Sequence, residues 1–319
     1  MQYRTLGKTG LSVSVLGFGG APLGGVYDKP DYAMDEAEAI RAVHSAFDRG
    51  VNYVDVTPYY GATRAESVLG KALHGVARER YLVSTKVGRY GGSAFDFSAE
   101  RVTRGVEESL SRLGIETVDI LLCHDIEFVP MAQIWEETLP ALDRLRQSGK
   151  VRFLGFSGLP LTIFPAVIEQ TDLVDVVLSY CHYNLLDTSL ETLLPYLHAR
   201  NIGVINASPL SMGLLSPDGP PPWRKVPDEV RAVCEQAAHH CAERGYSLGD
   251  LAVSFAVQNP QVATTLVGMA TTAEVEKNVA AAESTPDPMR LLEVRRILRP
   301  FRDWSWRSGL PENDPIHQQ

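Results

Sequence analysis

Cysteine is scarce in this sequence. The four cysteines, Cys123, Cys181, Cys234 and Cys241, form no CxxC pair, so neither a disulfide framework nor a four-cysteine zinc site is expected, and the thiols are predicted to be reduced and structural. Cys123 and Cys181 each precede a histidine. Because neighbouring residues of a strand point to opposite faces, each pair could offer only one inward ligand. We therefore predict no metal site.

Long apolar runs and an excess of positive charge are also absent. No apolar run approaches the roughly 18 residues that a transmembrane helix needs, and the opening residues, MQYRTLGKTG, lack the apolar core of a signal peptide. The net charge of −9 and the pI near 5.4 argue against nucleic acid or an anionic membrane as a partner. We expect a cytoplasmic protein, a monomer or a small homo-oligomer, that acts on a small molecule.

Short apolar segments alternate with segments of helical periodicity along the chain, as in β/α units. The predicted barrel strands are residues 15–18, 52–56, 81–86, 118–123, 151–157, 174–179, 203–206 and 263–267. Eight such units predict a closed (β/α)8 TIM barrel. We expect one domain over residues 1–319, with a short N-terminal β-hairpin around Lys8-Thr9-Gly10 and an extra C-terminal helix and tail at about 288–319. The helix over 134–145 is expected to kink at Pro140.

A doubly wound sheet is the alternative fold with the same alternation. It would place a GxGxxG motif after the first strand, but Gly17, Gly19 and Gly20 do not have that spacing and no helix begins there. Gly20 is instead predicted to let the backbone turn sharply or approach a ligand. The barrel is therefore favoured.

An acidic residue lies near the end of a buried strand, in the segment NYVDVTPYYG at 52–61. Asp55 needs a partner there, because a buried, unpaired carboxylate is strongly unfavourable. In a barrel the carboxyl ends of the strands meet at one rim. At that rim the second predicted strand offers Asp55 and Tyr60, the third Lys86, and the fourth His124.

These four residues suit proton transfer coupled to hydride transfer. A phenol has a pKa of about 10, so Tyr60 needs a nearby cation to act as a base near neutrality, and Lys86 can supply it. Asp55 can hold Lys86 charged and oriented, and His124 can hydrogen-bond a substrate oxygen as charge develops on it. Taken singly, each has an ordinary explanation. Asp55 and Lys86 could form a structural ion pair, Tyr60 could be a loop aromatic, and His124 could be a histidine whose hydrogen bonds are satisfied near the rim.

An ordered set of motifs resembles the aldo-keto reductase family over almost the whole chain. The motifs are D-x4-YG at 55–61, TK at 85–86, LLCH at 121–124, GKVR at 149–152 leading into FSG at 156–158, SPL at 208–210 with GL at 213–214, and VG at 267–268 with EKN at 276–278. The resemblance implies a (β/α)8 barrel, a nicotinamide cofactor, and Asp55, Tyr60, Lys86 and His124 as the catalytic residues.

Longer stretches resemble the NAD-dependent aldose 1-dehydrogenases of that family. They include TPYYG at 57–61, FDFSAERV at 95–102, CHDIEF at 123–128, LSYCHY at 178–183 and ASPLSMGLL at 207–215. This resemblance implies oxidation of a sugar at its anomeric carbon to a lactone, with L-galactose or L-fucose as the expected substrate. Two alternatives remain: a reductase of another carbonyl such as pyridoxal, and a cofactor-sensing regulatory subunit with little turnover.

The resemblance also implies where the cofactor binds. The implied positions are Gly20, Ser157, Tyr180, Ser208, Leu210, Gly213, Leu214, Gly268, Glu274 and Asn278. Many family members hold the nicotinamide amide with Ser, Asn and Gln and stack the ring on a Tyr. The matching residues here are Ser157, Gly158, Tyr180 and Ala207, so only the serine is retained.

The loop after the last strand bears on the choice between NAD and NADP. NADP-dependent members carry basic residues there, where this chain has Gly268 and Glu274. A carboxylate repels a phosphate and can accept hydrogen bonds from a ribose diol, so we predict NAD in preference to NADP. The alternative for Glu274 is an acid in the first turn of a helix, favoured by the helix dipole.

Five residues are predicted to contact the sugar. Thr57 and Asp125 flank the four catalytic candidates, His182 follows a later strand, and Trp223 and Trp304 offer flat faces on which a sugar could pack. For each, loop packing is the alternative. An acidic, hydroxyl-rich pocket suits a neutral polyol better than an anion.

Overall fold

Eight parallel strands close into a barrel in the computed structural model, which describes residues 1–25, 34–216, 219–220 and 224–314. An antiparallel hairpin of β1 (Tyr3–Thr5) and β2 (Ser12–Ser14) precedes the barrel. The barrel strands are β3 (Leu16–Gly19), β4 (Tyr53–Asp55), β5 (Leu82–Val87), β6 (Val118–Cys123), β7 (Val151–Gly158), β8 (Val176–Tyr180), β9 (Gly203–Ala207) and β10 (Thr264–Gly268). They pair in chain order, and β10 closes the ring on β3. The predicted (β/α)8 barrel and hairpin are confirmed.

Helices cover the outside of the strands. They are α1 (Glu36–Asp48), α2 (Arg64–Leu73), α3 (Ala99–Leu113), α4 (Met131–Gln133), α5 (Leu139–Gln147), α6 (Ile163–Ile168), α7 (Leu194–Ala199), α8 (Asp228–Glu243), α9 (Leu248–Gln258), α10 (Thr272–Glu283) and α11 (Pro288–Leu298). Side chains that accept hydrogen bonds from the first turn mark several starts, as Ser98 does for α3, and Gly114 ends that helix in the left-handed conformation.

The predicted kink at Pro140 takes the form of a π-helical stretch, Ile134–Thr138, between α4 and α5. Pro140 has no N–H to donate and its ring would meet the carbonyl of Glu136, so the turn before it widens. A second proline acts in a similar way. The predicted helix around 190–197 is split into a 3₁₀ turn, Ser189–Thr192, and α7, which has Pro195 in its first turn.

The barrel interior is apolar towards the amino-terminal ends of the strands and polar towards their carboxyl-terminal ends. Inward-facing residues such as Tyr53, Ile120, Leu178 and Ile205 pack with Leu6 of the hairpin loop, which covers the amino-terminal end of the barrel. At the carboxyl-terminal end the buried residues are polar and charged. The chemistry of the fold is therefore concentrated at one rim, as is usual for this barrel.

The scarce cysteines are buried, and no disulfide links them. Burial raises the pKa of the Cys123 and Cys181 thiols to about 12, so both stay protonated and unreactive. No helix in the described part of the chain combines the length and the apolar character needed to span a membrane.

Candidate active site

The buried acid at the end of β4 is paired, as predicted. Lys86 Nζ, at the end of β5, hydrogen-bonds Asp55 Oδ1, and both residues are only 2% exposed. The other carboxylate oxygen, Oδ2, accepts from Ser84 Oγ at 2.6 Å, and Ser84 in turn accepts from the Tyr53 hydroxyl at 2.8 Å. The carboxylate is thus satisfied at both oxygens, which offsets its desolvation.

Tyr60 lies in the turn that follows β4, above Lys86. Its ring centroid is 5.1 Å from Lys86 Nζ. Gly61, with φ +61°, fixes this turn, because a Cβ there would overlap the backbone of Gly24. Burial raises the pKa of Tyr60 above its ordinary value. Lys86 lowers this pKa, as expected, but offsets only part of the increase.

His124 follows β6 and is buried beside Tyr60, with the two rings edge to face and their centroids 6.1 Å apart. Burial, Lys86 and Arg89 hold the pKa of His124 well below its ordinary value, so the ring is neutral. Its Nδ1 lies 3.2 Å from Thr57 Oγ1, which already accepts from the N–H of Tyr59 at 3.3 Å. With the Thr57 hydroxyl donating to Nδ1, the imidazole proton would lie on Nε2, which is 3.6 Å from Asp125 Oδ2.

The contact between Thr57 and His124 changes the predicted role of Thr57. We expected its hydroxyl to contact a sugar, but the residue is fully buried and the hydroxyl is used to orient His124. Its place at the strand end is as predicted. The direction of its side chain is set by His124, which follows β6, two strands away in the barrel.

Asp125, predicted to contact a sugar, forms a buried ion pair with Arg89. The backbone of Asp125 is left-handed at φ +54°, and its N–H donates to Ser157 Oγ at 3.1 Å. Arg89 also donates to the Tyr59 hydroxyl at 3.1 Å, with its guanidinium 4.0 Å above the Tyr59 ring. Neither Tyr59 nor Arg89 was predicted as a site residue; Arg89 lies three residues past Lys86 in the loop after β5.

Glu127 was not predicted, yet it is completely buried at the same rim. Oε1 accepts from the Leu159 N–H at 3.2 Å and from Ser308 Oγ at 2.7 Å, and lies 3.5 Å from the Tyr180 hydroxyl. Oε2 is buried without a hydrogen-bond partner among the described residues. Burial, with a further contribution from Asp125, raises the pKa of the Glu127 carboxyl to about 8. The carboxyl is protonated at neutral pH.

The raised pKa of Glu127 makes stability depend on pH. The folded protein retains a proton that an unfolded Glu releases at a pKa of about 4.3, so the free energy of unfolding falls as pH rises from there to about 8. Glu127→Gln keeps the neutral shape and removes this dependence. We expect the variant to melt at a higher temperature than the wild type near pH 8 and to lose that advantage near pH 5.

Glu66→Gln is a matched control, because Glu66 is equally buried but accepts from Arg112 Nε at 2.6 Å. The same substitution there breaks an ion pair and should destabilise the protein near pH 8. Melting curves of both variants across this pH range test the contrast. A Glu127→Gln variant whose melting temperature tracked the wild type at every pH would contradict the raised pKa.

Most of the predicted cofactor residues lie at or after the ends of the remaining barrel strands, β3 and β7 to β10. Gly20 follows β3 and donates its N–H to the Asp55 carbonyl at 2.7 Å. Ser157, Tyr180 and Gly268 lie at the ends of β7, β8 and β10. Ser208, Leu210, Gly213 and Leu214 form the loop after β9, where the Ser208 hydroxyl lies 3.2 Å from Met212 Sδ. Asn278 is on α10.

Comparison with protein families matches residues 15–298 to the aldo/keto reductase family. The chain belongs to the aldo/keto reductase family. It is 46% identical to the L-galactose dehydrogenase of Arabidopsis thaliana over 98% of this chain and 99% of that one. It is 35% identical to the D-arabinose 1-dehydrogenase of Saccharomyces cerevisiae over 77% and 76% of the two chains. Among solved structures it resembles an aldo-keto reductase from Bacillus halodurans in its holo form, with a TM-score of 0.77, 25% identity, and coverage of 96% and 98%.

Membership of the aldo/keto reductase family implies a nicotinamide cofactor. Glu274, the residue on which the predicted preference for NAD depends, lies at the start of α10. The carboxylate of Glu274 accepts from the N–H groups of Ala270 and Thr271 at 2.8 and 3.0 Å, in a capping box with Thr271. Glu274 is therefore an acid in the first turn of a helix, favoured by the helix dipole, which was the alternative that we considered for this position. A second acid was missed: Glu38 of α1 accepts from the N–H and the hydroxyl of Thr272, both at 2.7 Å.

The remaining predicted substrate residues are not brought to the four catalytic candidates by any contact among the described residues. His182 Nδ1 lies 2.9 Å from both Asp187 and Ser189. Trp304 packs edge to face against Trp306, with 4.8 Å between ring centroids. Trp223 lies outside the described residues. Within the described ranges, no three or more His, Cys, Asp or Glu side chains are grouped so that they could hold a metal ion.

Proposed function

We propose that this protein oxidises the anomeric carbon of an aldose to the lactone, with NAD as hydride acceptor and L-galactose or L-fucose as the substrate type. The observation that carries the proposal is the convergence of Asp55, Lys86, Tyr60 and His124 at one rim of the barrel. The nearly full-length similarity to an L-galactose dehydrogenase supports the choice of substrate class.

The rim fits the nicotinamide end of the cofactor. In the part of the chain that the structure describes, Glu127 Oε2 has no hydrogen-bond partner. A Cβ built on Gly158 would lie 2.9 Å from this atom, so the carboxyl occupies space that a side chain at 158 would take. A protonated carboxyl can both donate and accept hydrogen bonds, as a primary carboxamide requires. Glu127, Ser157 and Tyr180 would hold this end, while the loop after β9 and the start of α10 would hold the rest. Bound NAD supplies the acceptor for the hydride from the sugar.

The four residues then divide the proton chemistry between them. His124 donates from Nε2 to the anomeric oxygen and holds it in place. Tyr60 accepts the hydroxyl proton as the C–H bond breaks and its electron pair leaves with the hydride, so that the carbon–oxygen double bond of the lactone forms. Lys86 favours the phenolate of Tyr60, and Asp55 keeps Lys86 charged and oriented.

A substrate panel tests the proposal. Formation of NADH is followed at mildly alkaline pH with L-galactose, L-fucose, D-arabinose and D-galactose, and the lactone is identified by NMR. We expect turnover with L-galactose and L-fucose. Pyridoxal with NADH, and its alcohol with NAD, test the reductase alternative. No rate with any aldose would end the sugar proposal, and bound cofactor without turnover on any substrate would favour a regulatory role.

Preference for NAD over NADP has two supports at the start of α10. The hydrogen bonds from Thr272 hold the pKa of Glu38 at about 2, so this carboxylate is ionised throughout the working pH range. Glu38 and Glu274 occupy the N–H groups of residues 270–272, where a 2′-phosphate would meet two negative charges and no free donor among these three N–H groups. We expect kcat/KM to favour NAD clearly at matched cofactor concentrations.

Replacing the two acids in turn should relax this preference in two steps. We expect Glu274→Arg to raise kcat/KM for NADP relative to NAD, and the addition of Glu38→Gln to raise it further. Loss of the cap should cost about 1 kcal/mol of stability, which a melting curve measures separately. An NADP preference in the wild type, or an unchanged cofactor ratio in the double variant, would contradict this assignment.

A further inference from the structure

The ion pair of Arg89 and Asp125 lies beside the four catalytic candidates, and the proton chemistry above does not use it. Asp125 Oδ2 is 3.6 Å from His124 Nε2, the atom proposed to hold the reacting oxygen. Asp125 is only 3% exposed, whereas Arg89, Tyr59 and Tyr60 are partly exposed. The pair therefore lies in the wall of the site, next to the reacting group.

Aromatic rings hold the guanidinium of Arg89 in a fixed place. It lies 4.0 Å from the centroid of Tyr59, 5.3 Å from that of Phe95 and 5.7 Å from that of Phe128. Tyr59 also accepts a hydrogen bond from Nη2. A donor fixed in this way loses little conformational entropy when it binds a ligand. The geometry is that of a prepared binding group.

The charges in this wall balance. Arg89 neutralises Asp125, and Lys86 neutralises Asp55, so the pair presents no net charge to a ligand. A carboxylate only accepts hydrogen bonds and a guanidinium only donates them. A ligand group that binds both must donate and accept at once, which is the property of a hydroxyl.

The position of that hydroxyl follows from the proposed function, on which this inference rests. The anomeric oxygen held by His124 has two neighbouring oxygens in a cyclic aldose: the ring oxygen and the hydroxyl of the second carbon. The ring oxygen carries no hydrogen and cannot donate to Asp125. We propose that Arg89 and Asp125 together bind the C2 hydroxyl of the sugar and make the enzyme selective for aldoses that carry it.

The test compares each parent sugar with its 2-deoxy analogue in the wild type and in Arg89→Met and Arg89→Lys. We expect Arg89→Met to lower kcat/KM for L-galactose about ten- to a hundredfold and to affect 2-deoxy-L-galactose far less. Arg89→Lys keeps the positive charge without the fork, so it should show a smaller loss, again confined to the parent sugar. The different intrinsic reactivities of the two sugars cancel, because each variant is compared with the wild type on the same sugar.

Arg152→Met is the matched control, because Arg152 Nη1 binds Asp119 at 2.6 Å in a region away from the site. It should leave the ratio between the two sugars unchanged. Equal losses on both sugars in both Arg89 variants would show a merely structural role and overturn the inference. Absence of turnover of any aldose by the wild type would instead refute the proposed function, so the two failures are distinguishable.

Discussion

Tyr60→Phe is expected to lower aldose oxidation about a hundred- to ten-thousand-fold while leaving the fold and cofactor affinity nearly unchanged. The substitution removes only the phenolic oxygen that accepts the proton. The ring keeps its edge-to-face contact with His124 and its place above Lys86. Steady-state kinetics, a cofactor titration and a melting curve together measure the three expectations.

The pH dependence of the rate gives an independent measurement of the same group. Burial raises the pKa of Tyr60, and Lys86 opposes this increase only in part, so the phenol is mostly protonated near neutrality. A base must be deprotonated to act, and below its pKa the phenolate fraction grows about tenfold per pH unit. We expect the wild-type oxidation rate to rise into the alkaline range and the residual rate of Tyr60→Phe to lack that rise.

Tyr59→Phe is the control for this prediction, because the two tyrosines are adjacent and only Tyr60 lies over Lys86. It removes a hydrogen bond to Arg89 and should leave the pH profile in its wild-type form. A larger loss of proton transfer in Tyr59→Phe than in Tyr60→Phe would reverse the assignment of the base.

Asp55→Leu is expected to reduce the free energy of unfolding by about 3–5 kcal/mol, because it leaves the ammonium of Lys86 buried without its counter-charge. Lys86 is 2% exposed, so water cannot replace the carboxylate. The same variant should lose most of its activity, since an uncompensated Lys86 deprotonates and no longer favours the phenolate of Tyr60. Urea denaturation and kinetics measure the two losses.

The double variant Asp55→Leu, Lys86→Met separates stability from function. Removing both charges should restore much of the stability lost in Asp55→Leu, because a buried ion pair can be replaced by apolar groups of similar volume. Activity should not return. If Asp55→Leu were as stable as the wild type, the pair would not be desolvated in solution and this account of its role would fail.

The sequence was sufficient for the architecture and for the location of the four catalytic candidates. Strands that are covered on both faces appear in the sequence as continuous apolar runs. The closed barrel then places the carboxyl end of every strand at one rim. Asp55, Lys86 and His124 are found by that rule alone. The predicted strand limits differ from the observed ones by at most two residues, because the ends of the strands are set by pairing.

The partners around those candidates were not predictable in the same way. Thr57 turns to His124, Arg89 reaches Asp125, and Glu38 reaches Thr272 across 234 positions of sequence. Such contacts depend on the side-chain directions of residues in loops and at the starts of helices, which no sequence periodicity predicts. The pKa of Tyr60 also depends on the balance between burial and a nearby cation, and only coordinates give the extent of burial.

The hydrogen-bonded chain beneath Lys86 constrains the order of events in a turnover. Both hydroxyls of that chain, those of Tyr53 and Ser84, donate towards Asp55, and the chain ends at Tyr53, which is fully buried among apolar residues of the barrel interior. A proton taken up by Tyr60 therefore has no route to water through the barrel. We expect it to leave at the mouth of the barrel, where Tyr60 is partly exposed. A sugar bound there, as proposed, would delay release of the proton to solvent until the lactone departs.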